Sequence, residues 1–264
     1  MTTKNTSLAL LAIAVIGAAN AQDLDQSALR AAEDRGRQIY LHDHAVVVVS
    51  DAAQPLFTEM VRQHLRGYIT EEKGGAIVVT YYGTGEGGRL VAWYRGAVGP
   101  DGRLLGKVSQ YEIPQALSEF EERAAAARET GMHYKFRPCA QNYNSVVLPK
   151  PGGWQVYLIA GTTDNNVVPF GGTYRIDLDA SGHNIVADRG FTKSCLTLST
   201  QTKAGEKPVA IVVSHLLDPQ PTEVHVFWQL WSRQQWYVGT TQNNSAWRIE
   251  KGQISYTGKI DGAK

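Results

Sequence analysis

The sequence has no surplus of basic residues, no apolar run long enough to span a membrane, and only two cysteines. Lys and Arg together number 26 against 25 Asp and Glu, and no run of Lys or Arg makes a local patch. A partner that must have its phosphates neutralised, nucleic acid or an anionic lipid surface, finds nothing to bind here. The longest apolar runs after the N-terminus, Ala45–Val49 and Val209–Val213, fall far short of the roughly 20 residues a hydrocarbon core demands. Catalytic signatures are missing as well. There is no Gly-x-Ser-x-Gly elbow and no Gly-Lys-Ser/Thr phosphate loop, and no motif calls for a cofactor.

The N-terminus is more informative. Lys4 precedes an apolar stretch from Leu8 to Ile16, and Ala19-Asn20-Ala21 follows. That is the tripartite pattern of a cleavable secretory signal, too short to be an anchor, and it predicts cleavage after Ala21. No cysteine stands at the cleavage point to take a lipid, so residues 22–264 are expected to be periplasmic or secreted, without a membrane span. Removal of Lys4 leaves the charges balanced. In an oxidising compartment Cys139 and Cys195 are expected to form a disulfide, which on the chain-entropy model stabilises the fold by roughly 4 kcal/mol.

The chain reads as one α+β domain over residues 22–264, with room for a division near 130–145. Leu29, Ala32, Gly36, Ile39, Asp43, Val46 and Ser50 recur at helical spacing behind Asp25 or Ser27 as cap, predicting one long helix over about 25–51, with the β-branched run Val46–Val49 arguing for a break at its end. Pro55 is read as opening a short helix. Runs 66–72, 76–82, 89–98 and 103–111 alternate between turn signals and predict a small antiparallel sheet. Pro114 is read as opening a helix over 115–129. Beyond it the expectation is a mostly antiparallel β region with strands at 145–148, 154–160, 173–178, 184–188, 195–198, 208–217, 223–232, 236–240, 246–250 and 254–258.

Several groupings invite a chemical reading. Gly83 to Gly88 holds four glycines but sits between strands, where a phosphate-binding loop needs a following helix, so it reads as a hairpin loop. His42-Asp43-His44 with Ser50-Asp51 suggests zinc ligands, but on a helix the two imidazoles diverge; on a strand they would share a face. Ser194 beside Cys195 lacks the base and orienting group of a nucleophile. The segment 209–232 reads as a hairpin turning at Asp218-Pro219-Gln220-Pro221. With an odd-length loop it sets His215 opposite His225, with Glu223 close enough to share a zinc ion or a water; a four-residue turn sends the histidines to opposite faces.

Gly171-Gly172-Thr173-Tyr174-Arg175, Ser194-Cys195-Leu196, the run from Asp218 to Phe227 and Tyr237-Val238-Gly239-Thr240 resemble a group of exported proteins of Gram-negative bacteria that have no known activity. The resemblance implies a cell-envelope setting and carries over no catalytic residue. Five of the six tryptophans lie between Trp154 and Trp247. The reading that follows is a non-catalytic module binding a ligand or protein partner in the envelope through an aromatic C-terminal sheet, with Trp231, Trp236 and Tyr237 as contact candidates. The rival is a metal-assisted hydrolase of an envelope polymer or small ester, with His215, Glu223 and His225 as its candidates.

Overall fold

The computed structural model describes residues 25–164, 166–201 and 210–260; the expected signal segment, 1–21, lies outside them. Helix α1 runs Gln26–Ala53, its first turn capped by the Asp25 carboxylate, which accepts from the Ser27 and Ala28 amides at 3.1 and 3.0 Å. It does not break at the valines. Val46 and Val49 are buried with Ala45 against Val79, Tyr81 and Tyr94, and that packing outweighs the mild helix penalty of β-branching. A short 3-10 turn holds Pro55, and helix α2, Glu59–His64, starts instead behind Thr58.

Four antiparallel strands follow in the order of the chain: β1 (Leu65–Lys73), β2 (Ala76–Thr84), β3 (Leu90–Val98) and β4 (Ser109–Ala116). The fourth begins later than its residues suggested and contains Pro114, which an edge strand tolerates because one side of its backbone has no ladder partner. Helix α3 accordingly starts later too, at Glu119, and runs to Met132. Its start signal is the reciprocal pair in which the Ser118 hydroxyl accepts from the Glu121 amide and the Glu121 carboxylate accepts from the Ser118 amide. Glu121 also accepts from Arg95 on β3 at 2.8 and 3.0 Å, which ties α3 to the sheet.

The second half holds β5 (Tyr143–Lys150), β6 (Gly153–Ala160), β8 (Tyr174–Asp179) and β9 (Ile185–Gly190) in one antiparallel sheet, with a two-residue pair, β7 (Val167–Val168) and β10 (Leu198–Ser199), beside it. Cys139 and Cys195 are bonded, Cα to Cα 5.3 Å. No helix among the described residues is long and apolar enough to cross a membrane.

One expectation fails outright. Residues Glu223–Ser232 are not a strand but a helix, α4, and the strands on either side of it, β11 (Ala210–His215) and β12 (Gln235–Thr240), run parallel. Strands β13 (Ser245–Glu250) and β14 (Gln253–Lys259) then extend the sheet antiparallel. The sequence EVHVFWQLWS is apolar nearly all round because α4 lies between α1 and the sheet, with every residue from Glu223 to Gln229 buried. A helix buried on all sides has no polar stripe, so composition alone reads as strand. Gly36 of α1 permits the contact: a Cβ there would sit 2.5 Å from the Val226 Cβ.

Candidate functional site

The crossover β11–α4–β12 places the end of a strand, a proline-bearing loop and the first turn of a helix at one spot, the usual location for ligands beside parallel strands. Inward alternation along β11 brings Ile211, Val213 and finally His215 to the core, and the imidazole is 2% exposed. Its Nε2 donates to Asp218 Oδ2 at 2.8 Å, and Arg189 Nη2 of β9 donates to the same oxygen at 2.7 Å. Burial works to raise the Asp218 pKa, but these two donors and the Arg189 charge outweigh it and hold the carboxyl at about 2. The loop is fixed further by Asn243 Nδ2, which donates to the Pro219 carbonyl at 2.8 Å.

His225 sits in the first turn of α4, fully buried. Its Nδ1 accepts the Thr222 amide at 3.1 Å, so the ring acts where a Glu or Gln stands in an ordinary capping box. The accepting nitrogen carries no proton in that arrangement, which leaves the hydrogen on Nε2; among the described residues that atom has no partner. Burial first, then the adjacent His215, keeps the His225 pKa well below its ordinary value. The His215 and His225 rings do meet, edge to face with centroids 4.6 Å apart, but they do so from a strand end and a helix start rather than across a hairpin. Glu223 does not join them. Its Oε1 accepts from Arg175 Nη1 at 2.9 Å and from the Tyr157 hydroxyl at 3.2 Å. Among the described residues no group of three or more His, Cys, Asp or Glu side chains is placed to hold a metal.

Beside Asp218 and Glu223 opens a pocket of about 480 Å³, which neither histidine lines. Ala28, Ala32 and Arg35 of α1 form one wall, Tyr157 and Arg175 another, and Asp218 to Glu223 the third. Three guanidinium groups, Arg35, Arg175 and Arg189, line it together with three carboxylates, Asp25, Asp218 and Glu223. The charged groups are only half used. Among the described residues every bond and ion pair to Glu223 falls on Oε1 and every one to Asp218 on Oδ2. Arg189 spends Nη2 alone while its plane lies on the Phe191 ring at 4.5 Å, and Arg175 spends Nε on Asp177 and Nη1 on Glu223. Arg35 has no carboxylate within ion-pair distance among the described residues and reaches only the Pro149 carbonyl, at 3.5 Å.

The other sequence candidates lie elsewhere. Trp236 is fully buried, Trp231 is half-buried against the core, and Tyr237 is 37% exposed on the outer face of β12. Trp228 and Trp247 are core as well, so the aromatic sheet is packing material rather than a stacking platform. His42 and His44 diverge on α1, the first bonded to Thr70 at 2.7 Å and the second to the Gly102 carbonyl at 3.2 Å. Ser194 borders only a crevice of about 20 Å³. Sequence reasoning missed Arg35, Tyr157, Arg175 and Arg189, which come from four elements and share no spacing. Searches against protein-family models, curated proteins and solved structures match nothing.

Proposed function

We propose that this chain is an exported binding module of the Gram-negative cell envelope, and that its ligand is a small hydroxyl-rich molecule, a sugar or polyol, seated in the pocket at the start of α4. The observation that carries the reading is the alternation of vacant acceptors and vacant donors on the pocket wall: Glu223 Oε2 and Asp218 Oδ1 beside the unused N–H groups of Arg175 and Arg189. A hydroxyl donates and accepts at once and satisfies both kinds of neighbour. A bare anion satisfies only the arginines and meets three carboxylates. The charges that line the pocket cancel, which suits a ligand of little or no net charge. The Cys139–Cys195 bond is compatible with a periplasmic or extracellular setting.

The hydrolase reading on His215, Glu223 and His225 retains less support, because the Glu223 carboxylate is turned to Arg175 and Tyr157 and both bonded histidine nitrogens already serve the loop and the helix cap. The test of the binding reading is a glycan array followed by calorimetry on the hits, with Glu223→Gln as the variant. Binding that weakens about tenfold in the variant supports it, one charge-assisted hydrogen bond being worth about 1.4 kcal/mol or more. An array on which no glycan is retained, or hits whose affinity ignores the substitution, sinks it.

A further inference from the structure

Arg35 also borders a second, smaller cavity of about 190 Å³, formed where α1, β1, the start of α3 and the end of β5 meet. Its buried polar group is His42, 5% exposed. The ring Nδ1 lies 2.7 Å from the Thr70 hydroxyl, which has no other hydrogen-bond partner among the described residues. That hydroxyl needs an acceptor for its proton, so Thr70 donates to Nδ1 and the ring hydrogen sits on Nε2. Nε2 has no partner among the described residues and, unlike Nε2 of His225, is not sealed from solvent. Burial first, then the Arg35 charge, lowers the His42 pKa to about 4. At neutral pH the ring therefore offers the cavity one uncharged donor.

The charges of the cavity are independent of that donor. Arg35 of α1 lines it together with Glu71 and Glu72 of β1. Opposite charges that share so small a space ordinarily pair, yet among the described residues none of the three joins an ion pair, and neither glutamate side chain makes a hydrogen bond. The guanidinium and the two carboxylates thus face one cavity from beyond ion-pair distance of each other. A ligand carrying both signs pairs all of them, and the excess of one carboxylate favours a ligand with one more positive than negative charge. Phe120 of α3, half-buried, adds an apolar face for the ligand's uncharged part.

We infer that this cavity binds a basic α-amino acid, its carboxylate accepting from His42 Nε2 and Arg35, its ammonium groups donating to Glu71 and Glu72, and its methylene chain lying on the Phe120 ring. The site is separate from that of the hydroxyl-rich ligand, with Arg35 as their common wall. The probe is L-lysine, titrated into the full chain by calorimetry at low salt, where it shows saturable one-to-one binding. Glu71→Gln with Glu72→Gln leaves the circular-dichroism spectrum unchanged and raises the Kd at least tenfold, the loss of charge-assisted hydrogen bonds. Cadaverine, the same chain without the carboxylate, binds at least tenfold more weakly than lysine. Glu223→Gln, in the other pocket, leaves the lysine Kd unaltered. No saturable heat with lysine, or a Kd that the double substitution does not move, overturns the assignment. Cadaverine that binds as tightly as lysine refutes the contact with His42 and Arg35, and lysine binding lost in Glu223→Gln places the amino acid in the other pocket and overturns it too.

Discussion

Replacing Asp43 by asparagine stabilises the protein at neutral pH, and the gain vanishes in mild acid. Asp43 lies on the buried face of α1, 7% exposed; burial, offset only in part by the nearby Asn144 side chain, raises its pKa from 3.8 to about 6. An acid whose folded pKa exceeds its unfolded one favours the fold when protonated. Above pH 6 the buried charge costs about 3 kcal/mol, and that cost is relieved as the pH falls from 6 to 3.8. His42, the next residue and 5% exposed, works the other way. Burial lowers its pKa from 6.5 to about 4, so as the pH drops through that interval the unfolded chain takes a proton that the folded chain refuses, at a loss of about 3 kcal/mol. In the native protein the two slopes oppose each other and nearly cancel between pH 4 and 6.5. Asp43→Asn removes the first. Urea unfolding followed by tryptophan fluorescence is expected to give a variant about 3 kcal/mol more stable at pH 7.5 and indistinguishable from the parent at pH 3.8. A variant less stable at pH 7.5, or an advantage that persists undiminished at pH 4, refutes the reasoning.

Four further outcomes are expected. Gly36→Ala drives a methyl into Val226 and lowers stability by about 1–3 kcal/mol in the same urea assay, with no effect if α1 and α4 do not touch. Replacing Cys139 and Cys195 together by serine costs about 2–5 kcal/mol, and a melting temperature that reductant leaves unchanged in the parent contradicts the bond. Protein purified without chelator contains no stoichiometric zinc by plasma emission, and His225→Ala loses the helix cap and about 1 kcal/mol; zinc lost in both His215→Ala and His225→Ala restores the hydrolase reading. Intact mass of the exported form begins at Gln22, and a form that retains Met1 in a membrane fraction contradicts the export signal.

What could be read from residues alone divides along a physical line. Signals that act over a few positions were legible: the Asp25 cap, the stripe from Leu29 to Val46 and the hairpin turns of the first sheet; the pairing of the cysteines, 56 residues apart, was legible because there are only two. The start of α3 was also written locally, in Ser118-x-x-Glu121, but Pro114 is a louder helix-start signal and stands in an edge strand instead. Where burial is complete, periodicity disappears. Glu223–Ser232 packs on both sides, so its valines and aromatics satisfy a strand pattern as well as a helix, and the hairpin built on them put the right two histidines together for the wrong reason. The pocket arginines could not be found at all. Arg35, Arg175 and Arg189 are ordinary exposed-type residues in sequence, on α1, β8 and β9, and only the tertiary packing brings them to one pocket.

That packing sets a timetable for folding. The face of α1 that carries Glu33, Gly36 and Arg37 has its partners at the opposite end of the chain: Val226 on α4, the Gly252 carbonyl, and the Ile254 amide, which reaches Glu33 across 221 residues. This face of α1 is therefore covered only once the C-terminal segments exist, although the Val46 and Val49 end of the helix already has its partners in β2 and β3. Until α4 and the turn at Gly252 exist, Glu33, Gly36 and Arg37 lack these partners, and an incomplete chain presents that face of the helix uncovered. Contacts of such long separation are slow to close. A delay of this kind leaves that face open until the C-terminal residues arrive.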